Sequence, residues 1–371
     1  MFSPTMWQAR SEASAKTEGK SIMSLQAIIM AGGEGARLRP LTCDLPKPLV
    51  PVLGQPVMRY ALQLLRRHGL TNIGATLQYL PSAMIRAFGD GREDRVSLRY
   101  FREEKPAGTA GSIKLAASAL HHTFFVLSGD GLTDCDLQAA LRFHKQRGAL
   151  ATLVLKRVPC PLPYGVVVTD ETGRITRFIE KPGWDEACSD TVNTGIYILE
   201  PEVLARIPAD QPYDFGSQLF PLLVSERQPV YGYVMNGYWC DIGDISAYLQ
   251  AQIDFLHGRV RLESDAQPDA QGIWMAGDAR IAEDARLIGP CYVGNNVQID
   301  PGAIIGEDSV LCDGVHIGAQ ASVKRTVLWQ DAFVGEGAQV RAAILCRNAR
   351  MEARSQAFED AVLGDYAQLG M

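Results

Sequence analysis

Residues 27–52 read AIIMAGGEGARLRPLTCDLPKPLVPV, so Gly32, Gly33, Gly35, Arg37 and Lys47 follow directly on an apolar run. Glycine lets successive backbone N–H groups approach an anion, and the turn after a strand is a common place for such a site. Two familiar phosphate fingerprints fail here. Leu38 stands where G-x-G-x-x-G needs its third glycine, and no Lys-Ser or Lys-Thr pair completes G-x-x-x-x-G-K-[ST]. What remains is G-G-x-G-x-R-L-x-P-L-T, then P-K-P-L. It puts a guanidinium fork and a compact ammonium on a loop whose N–H groups already face an anion. Such a pair suits a triphosphate whose pyrophosphate end must leave.

Groups of this kind need a rigid frame. From Leu25 to about Gly258, apolar runs (LQAIIM, NIGATL, VSLRYF, TFFVLS, ALATLVL) alternate with PVMRYALQLLRRHG, AGSIKLAASAL and DLQAALRFHKQRG, whose apolar spacing suits one face of a helix. Asp136 and Gly148 read as the cap and stop of the last of these. The alternation predicts a Rossmann-like α/β domain over 23–258, a mostly parallel sheet sandwiched by helices, with ligands outside the carboxyl ends of its strands. Residues 259–275 read as a linker, and 1–22, ahead of Met23, as a disordered extension or misplaced start. Then the rhythm changes. Ile281, Leu287, Val293, Ile299, Ile305, Leu311, Ile317 and Val323 recur every six residues, with small or branched residues four positions on. Neither strand nor helix sustains that period, and a hexapeptide solenoid does. Residues 276–371 therefore resemble the left-handed parallel β-helix family. The register slips after Val323, resumes at Val334 and Val340 and is weak at the end, which predicts a truncated solenoid or an end covered by another subunit.

The chain has 371 residues, a formal net charge of −6 and eight scattered cysteines. That balance argues against general nucleic-acid binding, and scattered cysteines support neither a disulfide framework nor a zinc site. No apolar run is long enough to span a membrane, and the N-terminus lacks a signal-peptide core, so a cytoplasmic protein is expected.

The glycine loop, followed in order by EEKPAGTAGSI, VLSGDGLTD, YGVVV, FIEKP, VNTGIYIL and GYWCDIGD, resembles the sugar-1-phosphate nucleotidyltransferases over nearly all of residues 25–257. The resemblance implies that a sugar-1-phosphate attacks the α-phosphorus of a nucleoside triphosphate in line, with catalysis by positioning and charge compensation. It implies Arg37, Lys47 and Asp130 as catalytic groups, and Asp130 with Asp241 as ligands of Mg²⁺, which favours carboxylates and phosphate oxygens. It further implies nucleotide contacts from Ala31, Gly32, Gly33, Gly35, Glu103, Gly108 and Thr109. Gly165, Glu180, Lys181 and Asn193 would form the sugar-phosphate pocket. Asp134, Asp136 and Asp244 read better as turn or cap residues. Ala36 departs from the family, which usually has Thr there.

A carboxylate at Glu103, or at its neighbour Glu104, suits the two adjacent donors of guanine, whereas relatives using dTTP or UTP often carry Gln. The wording of several motifs, with the hexapeptide tail, is most similar to the GDP-mannose pyrophosphorylase branch; mannose itself rests on that resemblance alone. Other readings stand beside it: transfer from dTTP, UTP or ATP to glucose-1-phosphate, a non-catalytic regulatory subunit, or an acyltransferase built on the solenoid around His316. The flat outer faces of the solenoid lead us to expect a homo-oligomer.

Overall fold

The computed structural model describes residues 25–370 except 187, 210 and 265; the expectation about residues 1–22 lies outside them. Four parallel strands form one side of a nine-stranded sheet, out to its edge: β1 (Ala27–Met30), β2 (Asn72–Leu77), β3 (Ser97–Arg102) and β4 (Phe124–Ser128), ordered β3-β2-β1-β4. The chain moves outward from β1 to β3, then returns to the opposite side of β1. That reversal opens a crevice beyond the carboxyl ends of β1 and β4, where the glycine loop and Asp130 emerge. β1, β2 and β4 are almost wholly buried, which explains their unbroken apolar reading.

Beyond β4 the sheet is mixed. β5 (Ala151–Arg157), β6 (Gly165–Thr169), β7 (Ile175–Glu180), β8 (Thr191–Leu199) and β9 (Val230–Val234) follow, with β8 antiparallel to both β4 and β5. β9 runs parallel to β5, and β6 pairs antiparallel with β7. The pairing of β8 with β5 shifts between Asn193 and Tyr197, so Thr194–Ile196 bulge out of the ladder.

The helix Val57–Arg67 buries Val57, Met58, Tyr60, Ala61, Leu62, Leu64 and Leu65. The helix Leu137–Arg147 starts where the Asp136 carboxylate accepts from Ala139 N and stops at left-handed Gly148. AGSIKLAASAL is not one helix. Helical structure runs over Gly108–Lys114 and resumes as a short turn at Ala117–Ala119. The helices Pro81–Phe88 and Ile245–Leu256 add to those read from the sequence.

The C-terminal part is a β-helix of three parallel sheets. Their first strands are Ile273–Met275, Arg280–Ile281 and Arg286–Leu287, so pairing starts three residues inside the stretch read as a linker. The inward aliphatic ladder continues through Leu328, Val334, Val340, Leu345, Met351 and Ala357. The register slips twice, from Val323 to Leu328 and from Val340 to Leu345, and both five-residue steps turn the same corner. The sequence showed only the first, and the stretch after Val340 that looked weak is a regular coil.

The outward row of the first solenoid sheet packs on the α/β domain. Tyr292, Val310, Cys312, Val327, Trp329, Ile344 and Cys346 share a core with Leu38, Leu41, Val50, Val52, Tyr248 and Phe255. One of the three outer faces is therefore used within the chain. Among the described residues, no helix is long and apolar enough to cross a membrane.

Candidate functional site

After β1 the backbone stops pairing. Ala31 N–H donates to Thr76 O, and Leu38 N–H is the next to donate, to Gly35 O; among the described residues, the six N–H groups of Gly32 to Arg37 find no protein acceptor. Gly35 is left-handed, and a Cβ there would lie 3.1 Å from both Lys47 Cβ and Thr42 Cγ2. Thr42, fully buried, donates its hydroxyl to Gly35 O at 2.8 Å and fixes the loop. The left-handed Gly35 thus brings the loop down onto Lys47.

Asp130 lies two residues after the end of β4. Asp241 ends the strand Trp239–Asp241, which pairs antiparallel with Gly131–Thr133 and sets Asp241 opposite Gly131. Ile242 N–H donates to Asp130 O, so two carboxylates 111 positions apart in sequence share one spot. Between them lies the Lys47 ammonium, 11% exposed, in contact with Asp130 and 3.4 Å from Asp241 Oδ1. The Ser128 hydroxyl also donates to Asp130. Arg37 Nη2 lies 3.2 Å from where a Gly243 Cβ would stand, beside Asp241.

These contacts separate the two acids. Burial opposes the Asp130 charge, yet the Lys47 ammonium outweighs it and holds the carboxyl below its ordinary value. Burial and the neighbouring Asp130 charge push Asp241 up. Burial works against the Lys47 charge, and the two carboxylates overcome it and raise its pKa. The cluster is an anionic pair spanned by one cation. Among the described residues, no group of three His, Cys, Asp or Glu forms a closed metal cage. Two partly buried carboxylates side by side fit Mg²⁺, which commonly takes one or two carboxylates plus phosphate oxygens.

The residues expected to bind the sugar phosphate, Gly165, Glu180, Lys181 and Asn193, gather on β6, β7 and β8 or directly after β7. Glu180 ends β7, and its Oε2 lies 2.8 Å from a Cβ built at Gly165 and 2.5 Å from one built at Gly216. Both glycines leave the room that this carboxylate fills. Burial and Asp214 raise the Glu180 pKa against the pull of Lys181. Lys181 has a left-handed backbone, and its N–H donates to Tyr164 O. Asn193 donates to Tyr197 OH at 2.9 Å and accepts from Gly195 N at 3.1 Å, which ties it to the β8 bulge. Trp239 Nε1 donates to Thr194 O, and its ring meets Tyr164 at 5.3 Å.

The residues expected at the nucleobase have partners within the protein. Glu103 Oε2 accepts from Ala107 N at 3.0 Å, and its Oε1 lies 3.0 Å from a Cβ built at Gly32. Burial raises its pKa. Gly108 is left-handed against Tyr213 O, where a Cβ would come within 2.6 Å. The Thr109 hydroxyl donates to Asp214 Oδ2 at 2.7 Å and accepts from Phe215 N. Asp214 and Gly216 escaped sequence reading. Their only local signal is an Asp that caps the helical turn Phe215–Leu219.

Asp136 and Asp244 are helix caps, and Asp134 holds Tyr238 N and Arg261 N. His316 sits on an outer solenoid sheet, 2.8 Å from Asp300 Oδ2 and edge-on to Phe333.

Residues 26–258 match the sequence model of the Nucleotidyl transferase family, and residues 287–370 match that of the GMPPB C-terminal domain. The chain is 36% identical to a UTP--glucose-1-phosphate uridylyltransferase of Synechocystis sp., with 85% of this chain and 86% of that protein covered. It is 34% identical to a mannose-1-phosphate guanylyltransferase of Mycobacterium tuberculosis, with 81% and 83% covered. A Bacillus anthracis structure assigned as a glucose-1-phosphate thymidylyltransferase, in complex with a sucrose, superposes with a TM-score of 0.56. It is 26% identical, and the match covers 62% of this chain and 94% of that one. An acyltransferase reading of the solenoid finds no support in these matches, and the chain belongs to the nucleotidyl transferase family, as a sugar-1-phosphate nucleotidyltransferase.

Proposed function

We propose that the protein transfers the guanylyl group of GTP to mannose-1-phosphate, giving GDP-mannose and pyrophosphate. The observation that carries nucleotidyl transfer is the run of N–H groups from Gly32 to Arg37, without a protein acceptor among the described residues, on the loop that packs Gly35 against Lys47 of the Lys47–Asp130–Asp241 cluster. The row of donors receives the triphosphate, and Arg37 and Lys47 offset the charge that collects on the departing pyrophosphate. Lys181 holds the phosphate of the incoming sugar, while Glu180 and Asn193 accept and donate to its hydroxyls and fix its attack in line with the leaving group. Asp130 and Asp241 are the residues to hold Mg²⁺, whose chemistry when bound is to neutralise charge on the phosphate oxygens.

Guanine and mannose are supported by the Glu103 carboxylate at the loop under Gly32 and by the mannose-1-phosphate guanylyltransferases among the relatives. Glu103 spends one oxygen on Ala107 N–H, so a guanine would have to share that carboxylate with the loop. The Synechocystis relative favours a second reading, uridylyl transfer to glucose-1-phosphate. Pyrophosphate release, measured with Mg²⁺ over a grid of four NTPs and several sugar-1-phosphates, separates them. Signal confined to GTP with mannose-1-phosphate supports the proposal. Signal with UTP and glucose-1-phosphate replaces it by the second reading, and a flat grid points to a non-catalytic subunit.

A further inference from the structure

Lys47 belongs to a short segment whose far side faces the solenoid. Leu49 N–H donates to Pro46 O and Val50 N–H to Lys47 O, so Lys47 to Val50 form one tight turn that runs into Pro51. The Pro51 carbonyl accepts two hydrogen bonds from the helix Ile245–Leu256, from Tyr248 OH at 2.8 Å and Gln252 Nε2 at 2.9 Å. Tyr248 is fully buried, and its hydroxyl accepts in turn from Trp329 Nε1, on the solenoid, at 2.8 Å. A directed chain of donors thus runs from the solenoid indole through one phenol to the backbone four residues after Lys47.

Packing also ties the turn to the solenoid, through Val50 and Val52 in the shared core, but it is incomplete. A cleft of about 250 Å³ lies in the same seam, lined by Leu45, Leu49, Pro51, Trp329, Gln330 and Arg347 among others. The contacts missing across that cleft leave the turn resting more on its hydrogen bonds than it would in a filled seam. Burial also keeps the Tyr248 phenol protonated, so it remains a donor to Pro51.

We propose that Trp329 is a positioning residue for nucleotidyl transfer: acting only through the Tyr248 hydroxyl, it sets the Lys47–Pro51 turn and hence the ammonium between Asp130 and Asp241. The solenoid is then a working part of the transferase site. This rests on Lys47 acting in phosphoryl transfer as proposed above.

The test uses the full chain and four variants: W329F, Y248F, the double variant W329F/Y248F, and V310A. Val310 lies in the same shared core but outside the chain of donors. kcat and KM for both substrates are measured per folded molecule, alongside thermal midpoints. W329F is expected to lower kcat 5- to 30-fold with both KM values within about twofold of the parent, and Y248F to lower it further. The double variant is expected to match Y248F alone, because an effect relayed through one hydroxyl disappears with that hydroxyl. V310A is expected to lower the midpoint and leave kcat unchanged. Parental kcat in W329F, or W329F and Y248F effects that multiply in the double variant, overturns the proposal. A parent inactive across the NTP and sugar-phosphate grid overturns the reading on which it rests.

Discussion

Gly216→Ala separates function from stability in this fold. The new Cβ would stand 2.5 Å from Glu180 Oε2 and 3.4 Å from Phe178 Cε1. The closer atom is the tip of a flexible side chain, so the carboxylate swings away and the backbone stays. Gly216 lies in the helical turn Phe215–Leu219, where alanine is more favourable than glycine by about 0.5–1 kcal/mol. The thermal midpoint should therefore hold or rise. On the role proposed for Glu180 the function should suffer, because its carboxylate is displaced from the sugar site. A hydrogen bond to an ionised partner contributes about 1.5–3 kcal/mol, and about 1.4 kcal/mol is a factor of ten. KM for the sugar-1-phosphate should rise about 10- to 100-fold while KM for the nucleotide holds. The assay is initial-rate pyrophosphate release with each substrate varied in turn, next to a thermal melt. Gly165→Ala is the contrast: its Cβ would lie 2.8 Å from Glu180 Oε2 and also 2.9 Å from Phe178 Cζ, so it should cost stability as well. An unchanged sugar-phosphate KM in a stable Gly216→Ala protein would refute the role of Glu180.

Lys47→Ala, with the charge between Asp130 and Asp241 removed, should lower kcat by about 10²–10³-fold, read by the same assay at saturating substrates. Leu345→Ala empties a fully buried position of the solenoid ladder and should cost about 2–5 kcal/mol in denaturant unfolding. His144 is buried between Thr152 Oγ1 and Glu200 Oε1, and burial, opposed by Glu200, lowers its pKa below 6.5. The unfolded chain then binds more protons below that value, so stability present above pH 6.5 is lost as pH falls toward the folded pKa. Thermal midpoints should drop across that window, and His144→Gln should flatten the drop; an equally steep fall in the variant would assign the slope elsewhere. His68, also lowered by burial, leaves a residual slope of the same sign.

Local chemistry made much of this legible. Strand β1, the loop of glycines and the caps at Asp136 and Gly148 each follow from a few neighbouring residues, and the six-residue ladder is a one-dimensional pattern. The site is legible only where a motif carries it. Asp214 and Gly216 act through a carboxylate that is 34 or more residues away in sequence, and a glycine that makes room for it looks like any other. The occupied hydrogen bonds of Glu103 and Thr109 depend on loops closing over them, and the second slip of the ladder is hidden because Ala342 and Ala343 read as neither in nor out. The seam at Trp329 was invisible for a related reason: its row alternates with the inward ladder and looks like ordinary strand surface.

Both short steps of the solenoid fall at the corner that leads into the sheet facing the α/β domain, each turned by a left-handed residue, Arg325 and Ala342. A coil can lose one residue there without changing which side chains come next: Val310, Val327 and Ile344 still stack in register across the slips. That corner behaves as a slack point in the reading frame of the fold. A one-residue deletion there shortens a coil silently, while the same deletion inside the Val327–Leu328 strand would turn Trp329 inward and withdraw the indole from Tyr248.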